Sequence, residues 1–381
     1  MYIRYYFVFL LSTITVVNSI QIPFIQNITL VPRYLWNSTT VSNQTIHSCI
    51  CLSLSSYVAF NWFSNNSCQL FHTFPITYRI QSTSNARLYF SKGIFPNTSQ
   101  CCMPDINYLL DKLRNGTRTY RNVSTPRNLF IDNNGYLVTA ELNPPKLDRF
   151  NAQDLSLIDK TNLSTYGSYL MTVVYANNAY FAGFISGPIT VIDSQSLLVL
   201  NNIVSTELNN MRSIIFLNNA QTMIVSLVDK NATIFFNRSS PGSFNYTFAY
   251  KQRTNYTGVH GLVAVNNTYF YSTSYPDKTV YSYSAVANST QWTETLVLNT
   301  SSVYNATGGT FVTIDECGRF WYSFEMPAVY IFDKSGILLG NLSVSNGQIM
   351  DTLITDNYIM YFSDRGNAPD QIIRIDPHIQ C

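Results

Sequence analysis

The chain has 381 residues, of which 46% are apolar and 12% charged, and its formal net charge is +2. That is ample apolar material for a buried core and excludes a disordered chain; a near-neutral balance with no basic stripe excludes a protein that follows phosphates along nucleic acid. Polarity is carried instead by 39 Asn, 39 Ser and 36 Thr, and 14% aromatic residues beside only 16 Gly favour strands over helices.

At the start of the chain, Arg4 precedes the apolar run 7–17 and the small residue Ser19, the pattern of a secretory signal peptide over residues 1–19. About 11 apolar residues fall short of the roughly 20 that a spanning helix needs. No later run is longer, so a secreted, extracellular chain without a membrane span is expected. Acceptors for N-glycosylation, Asn-x-Ser/Thr, begin at Asn27, Asn37, Asn43, Asn65, Asn97, Asn115, Asn122, Asn162, Asn231, Asn237, Asn245, Asn255, Asn266, Asn288, Asn299, Asn305 and Asn341. Chance pairing of Asn with this Ser and Thr content would give roughly 8. The excess fits a chain made in the secretory pathway, where glycans supply the solubility that charges do not.

Residues 20–100 read as a separate unit. The segment CICLSLSSYVAFNWFSNNSCQLF resembles the second half of PAN/apple modules at Cys49, Cys51, Asn61, Trp62, Cys68, Leu70 and Phe71. The cysteine-bearing helix that such modules carry upstream has no counterpart here. The resemblance implies binding to protein or carbohydrate. Next, PDINYLLDKLRN reads as an amphipathic helix with Ile106, Leu109, Leu110 and Leu113 on one face and Pro104 near its start, so residues 101–116 are expected to form a linker helix.

From Thr125 onward an apolar strand, a tight polar turn and an aromatic-rich second strand recur as NLFIDNNGYLVTA, MTVVYANNAYFAG, SIIFLNNAQTMIVS, GLVAVNNTYFYST, TFVTIDECGRFWYS and DTLITDNYIMYFSD. Taking Asp132, Ala176, Asn218, Asn266, Asp315 and Asp356 as equivalent turn positions, the spacings are 44, 42, 48, 49 and 41. A third strand follows in most units and a fourth in several. Four short antiparallel strands in each of six such units predict an all-β fold, a six-bladed β-propeller over residues 117–381, with a small disulfide-bonded β-rich module before it. The last unit ends after three strands, so Thr117–Ser124 is expected to close it as the outermost strand and leave no open edge. The units resemble NHL-type six-bladed propellers in PRNLFIDNNGYLVTA and VYIFDKSGILLG, and DECGRFW resembles the Cys-Gly-Arg-x-Trp segment of yellow and royal-jelly proteins. Units two and three lack the Asp-x-x-Gly turn.

Seven cysteines in a secreted chain suggest disulfides with one left over. Alternation of strand direction puts Cys317, Cys381, Cys101 and Cys102 on one face of the disc. Cys101 and Cys102 are therefore expected to bond between them to Cys317 and Cys381, in an order left open, and Cys68 to bond to Cys49 or Cys51.

No Gly-x-Ser-x-Gly elbow, His-Glu-x-x-His pair or phosphate loop is present, and there are four His. No catalytic residue is expected. Where innermost strands begin, the sequence offers Asn128, Tyr169, Arg212, His260, Thr310 and Asp351, of which Asn128, Arg212, His260 and Asp351 are candidate ligand-binding residues at a channel mouth. Arg212 and His260 argue against a hard cation there, and no cofactor or metal is expected. The reading is a non-enzymatic recognition protein for extracellular protein or glycan. Two alternatives stand: a hydrolase like the calcium-dependent lactonases and esterases of this propeller class, with Glu141, Asp193 and Asp315 as further oxygen donors, or a matrix component.

Overall fold

The structure is a computed structural model that describes residues 24–32, 38–45, 48–49, 59–71, 78–90, 105–286, 291–300, 308–315, 317–355, 357–366 and 369–379. The signal segment, Cys51, Cys101, Cys102, Cys381 and the acceptors Asn37, Asn97, Asn288 and Asn305 lie outside them. The chain divides into two compact units, Met1–Cys101 and Cys102–Cys381. Among the described residues there are seven antiparallel sheets: one five-stranded sheet in the first unit and six four-stranded sheets in the second.

In the first unit, β1 (Phe24–Pro32), β2 (Ser38–Val41), β3 (Ala59–Phe63), β4 (Ser67–Phe71) and β5 (Tyr78–Phe90) form a sheet in the order β1-β5-β3-β4-β2. Cys49 is disulfide-bonded to Cys68 and packs with Phe60, Leu70 and Tyr89 in a small core.

The second unit opens with α1 (Ile106–Asn115), whose N-cap Asp105 accepts from the N–H groups of Asn107 and Tyr108. Leu109, Leu110 and Leu113 are buried against Trp321, Val329, Ile331 and Leu342. The segment expected as a linker is therefore a packed part of this unit, because an apolar helix stripe must be covered. Then come β6 (Thr117–Asn122) and the first sheet, β7 (Pro126–Ile131), β8 (Tyr136–Glu141), β9 (Lys146–Asn151) and β10 (Leu157–Asn162). The second sheet is β11 (Ser168–Ala176), β12 (Ala179–Ser186), β13 (Ile189–Asp193) and β14 (Val199–Ile203). The third is β15 (Met211–Leu217), β16 (Thr222–Leu227), β17 (Ala232–Arg238) and β18 (Tyr246–Arg253). The fourth is β19 (Val259–Asn266), β20 (Tyr269–Ser274), β21 (Thr279–Ser284) and β22 (Thr293–Asn299). The fifth is β23 (Gly309–Ile314), β24 (Phe320–Phe324), β25 (Ala328–Phe332) and β26 (Leu338–Ser343). The sixth takes β27 (Gln348–Ile354), β28 (Met360–Arg365) and β29 (Gln371–Asp376), and is completed by β6 from the start of the unit.

The first strands of successive sheets neighbour one another in sequence order, and β27 returns to neighbour β7. Six sheets thus stand in a ring, a β-propeller-like all-β arrangement, with apolar clusters filling the spaces between adjacent sheets. Middle strands such as β12 and β24 are buried along almost their whole length because both faces are covered. The turns follow two chemistries. In the first and fifth units, Asp132 and Asp315 accept from backbone N–H groups and a glycine takes the positive φ (Gly135, +79°; Gly318, +72°). In the second unit Asn177 and Asn178 take φ of +52° and +60°, a two-residue hairpin turn that needs no Asp-x-x-Gly.

The closing strand is paired along all six of its residues, from Asn122 opposite Gln371 to Thr117 opposite Asp376. A chain beginning at residue 102 is expected to run as a monomer in size-exclusion chromatography, whereas one beginning at residue 126 leaves the β29 edge unpaired and should aggregate. Equal solubility of the two would count against closure by β6.

Candidate functional site

Each first strand contains a register break at the equivalent place. Pairing skips between Pro126 and Leu129, Leu170 and Thr172, Met211 and Ser213, Val259 and Leu262, Gly309 and Phe311, and Ile349 and Asp351. An extra residue in one strand bends it and re-aims side chains. The bulges put Arg127, Met171, Arg212, His260, Thr310 and Met350 at equivalent places in the first strands, one in each sheet. Of the residues that follow them, on the opposite face of the strand, Asn128, Ser213 and Asp351 reach a neighbouring sheet.

The expected set Asn128, Arg212, His260 and Asp351 therefore combines two rows. Asn128 and Asp351 belong to the seams. Asn128 Oδ1 accepts from Val173 N at 2.8 Å while its Nδ2 donates to Val173 O at 2.5 Å, joining the first sheet to the second. Asp351, 3% exposed, accepts from Leu129 N at 2.8 Å and Thr352 N at 2.7 Å, joining the sixth sheet to the first. Burial pushes its carboxyl up to about 7, against the two N–H groups that favour the charged form. Ser213 fills the same place in the third sheet, accepting from Leu262 N. Asp351 and His260 share no hydrogen bond.

Arg212 and His260 do come together, and sequence reasoning missed the groups that complete their surroundings: Arg127, Arg365, Tyr275 and Glu325. Arg212 Nη1 donates to Met171 Sδ at 3.0 Å, and His260 Nδ1 donates to Thr310 O at 2.8 Å while its ring stacks on Tyr275 at 5.5 Å. Burial, reinforced by the charges of Arg212 and then Arg127, pulls the imidazole down to about 3, so it is neutral. Burial first, and Arg365 and Arg212 next, pull the Arg127 guanidinium down to about 10; burial also lowers Arg212. Tyr275 donates to Glu325 Oε2 at 2.7 Å; the charge of Glu325 acts on both arginines, and that of Asp229 acts more strongly on Arg212.

The other well-buried arginines are paired: Arg149 with Asp159, Arg319 with Asp315 and Arg374 with Asp376. Among the described residues, Arg127, Arg212 and Arg365 have no carboxylate within ion-pairing distance, and the Nε atoms of Arg127 and Arg212 are buried without a partner. One sequence signal was available: Arg127 and Arg212 each sit second in a first strand, PRN and MRS.

The oxygen donors weighed for a cation are committed elsewhere. Glu141 accepts from Lys146, Asp193 from Ser196, and Asp315 from Arg319 and Trp321. Among the described residues no three His, Cys, Asp or Glu side chains gather in a group that could hold a metal ion.

Cys317 is a free thiol rather than half of a bond to Cys101 or Cys102. Its Sγ lies 3.6 Å from the hydroxyl of Tyr358, which Arg319 holds in place, so a phenol fills the space beside the thiol.

No family description matches the chain, and no curated protein matches it. Among solved structures, a luciferin-regenerating enzyme is similar to it with a TM-score of 0.53 at 10% identity, over 68% of this chain and 95% of that one. In all 1427 solved chains match, so the likeness describes an architecture used for many purposes and carries no chemistry with it.

Two outcomes are expected from this geometry. Asp351→Ala leaves the buried Leu129 N–H without an acceptor and should lower stability to urea by about 1–3 kcal/mol, with Asp351→Asn, which keeps an acceptor, costing less. The His260 ring, charged in the unfolded chain below 6.5 and in the folded chain only near 3, gives a stability contribution that is complete above 6.5 and is lost as the pH falls toward 3. A two-dimensional NMR titration should show its imidazole neutral down through about pH 5; a midpoint near that of a free histidine would contradict the burial described.

Proposed function

We propose that this chain is a secreted, N-glycosylated, six-bladed propeller of the NHL type behind a PAN-like module, and that it acts as a non-enzymatic recognition protein for an acidic extracellular protein or glycan held at the ring centre. One observation carries the reading: Arg127 and Arg212 are largely buried with no carboxylate partner, an arrangement that costs stability unless an anion completes it. A guanidinium offers a planar fork that matches carboxylate or sulfate oxygens. The surrounding ring is neutral or polar, and no nucleophile with an adjacent base stands among the residues described there, which favours binding over catalysis.

The glycoprotein part is supported by exposure. Asn43, Asn65, Asn115, Asn122, Asn162, Asn237, Asn245, Asn255, Asn266, Asn299 and Asn341 stand on the surface, where an oligosaccharide can be attached. Asn231 is half-buried, and its Oδ1 accepts from Gly258 N. The disulfide between Cys49 and Cys68 fits an oxidising compartment. The calcium-dependent hydrolase remains the second reading; no particular observation favours it, since its candidate donors serve turns and ion pairs.

The test is a binding array of sulfated and carboxylated glycans and extracellular proteins, followed by titration of the strongest acidic binder. Arg127→Ala and Arg212→Ala are each expected to weaken that binding by about tenfold or more, the scale of a lost charge-assisted hydrogen bond, while the melting temperature holds or rises. A destabilised variant with unchanged affinity would assign the arginines to structure instead.

A further inference from the structure

The groove between the first and sixth sheets contains charged groups that the ring centre does not use, around a cavity of about 340 Å³. Glu141 ends β8 and Asp148 lies in β9, and register places them on one face: Glu141 opposite Lys146, Asp148 opposite Thr139. They are 4% and 5% exposed, two carboxyls buried side by side, and Glu141 adds to burial in holding the Asp148 carboxyl up. Lys146 Nζ reaches Glu141 Oε2 at 3.2 Å, but no N–H or O–H of the described chain reaches Asp148 Oδ1, and both carboxyl residues line the cavity. A carboxylate oxygen so placed lacks the donor that burial demands.

The opposite charge lines the same cavity. Lys160, the cross-strand partner of Asp148 on β10, and Arg121, from the closing strand β6, are exposed and without a carboxylate partner among the described residues. The Arg121 guanidinium lies 6.0 Å from the centroid of the Phe150 ring, which gives the groove an apolar wall. Asp370, also at the cavity, is occupied by Thr125 N and Gly366 N.

We propose that this groove binds a small zwitterion, its ammonium donating to Asp148 and Glu141 and its carboxylate received by Arg121 and Lys160. The site is separate from the ring centre and does not depend on the function proposed for it. A bound ammonium favours the ionised Asp148 carboxylate, so binding to the protonated form releases that proton. Burial, with Glu141 beside it, holds the Asp148 carboxyl up at about 7, while Lys146 and Lys160 draw it down. Affinity is therefore expected to rise as the pH passes upward through that value.

Isothermal titration of the full chain with ω-amino acids of one to five methylenes tests this. At least one member should bind saturably, and the alkylamine and the alkylcarboxylate of equal length should each bind about tenfold more weakly, since each lacks one charged contact. Arg121→Ala and Lys160→Ala, both surface changes that spare the core, should weaken the best member to a similar degree. Asp148→Asn should abolish both its binding and the pH dependence. No saturable binding of any member below about 10 mM, or binding unchanged by Arg121→Ala and Lys160→Ala together, would overturn the proposal whether or not the Asp148 variant folds.

Discussion

The hydrogen bond from Leu129 N to Asp351 Oδ2 closes the ring, because it is the seam at which the last sheet meets the first. A sheet standing alone has two bare edges and two apolar faces; arranged around an axis, its faces are covered by neighbours and its inner edge by the adjoining first strands. Bonds that the sheets' own ladders do not supply hold the seam of Asp351 and four of the other five. The chain provides these from side chains: Asn128 to both backbone groups of Val173, Ser213 to Leu262, Ser323 to Thr352, and Thr273 and His260 to the carbonyl of Thr310. Closure is doubled at the sixth sheet, where β6 supplies the outer strand from the other end of the unit, and Arg118 Nη1 ties that strand to Val344 O at 2.9 Å.

The bulge makes the seams possible. By inserting one residue into each first strand, it leaves that residue unpaired at the centre and lets the next one face the neighbouring sheet. Chemistry then sorts by position. At the seam stand short acceptors, Asn128, Ser213 and Asp351, that reach one backbone N–H. At the bulge stand longer side chains in five of the sheets and Thr310 in the remaining one, and three of the six are Arg127, Arg212 and His260.

Much of this architecture is written locally in the sequence. Asp132 and Asp315 with their following glycines announce turns because a short carboxylate accepts from the turn's own N–H groups and glycine takes the positive φ without a Cβ penalty. The missing fourth strand of the last unit and the isolated segment before the first point to each other by simple count. The seam and bulge rows resisted reading for a physical reason. A strand alternates faces at every residue, so an insertion of one position exchanges the two rows, and no local signal marks a bulge formed between Pro126 and Leu129. That is why Asn128 and Asp351 were grouped with Arg212 and His260, and why Arg127, one residue from Asn128, was passed over. Helix α1 is legible in its apolar stripe, but what covers that stripe is a tertiary fact that lies more than two hundred residues away, at Trp321 and Leu342.

The electrostatics of the ring centre follow from this division of labour. Had Arg127 and Arg212 been structural, each would be expected to resemble Arg319, which donates to Asp315 from within its own turn and to the Tyr358 hydroxyl of the next sheet. Instead they are held by bulges on strands of different sheets, they repel one another, and burial reinforced by their charge keeps His260 neutral through ordinary pH. Repulsion of this kind opposes folding, and the seam bonds of Asn128, Ser213 and Asp351, one residue away on the opposite face, join sheets without using the central charges. An anion at the centre would relieve the repulsion without disturbing those bonds, so ligand affinity and much of the ring's stability are set by adjacent residues.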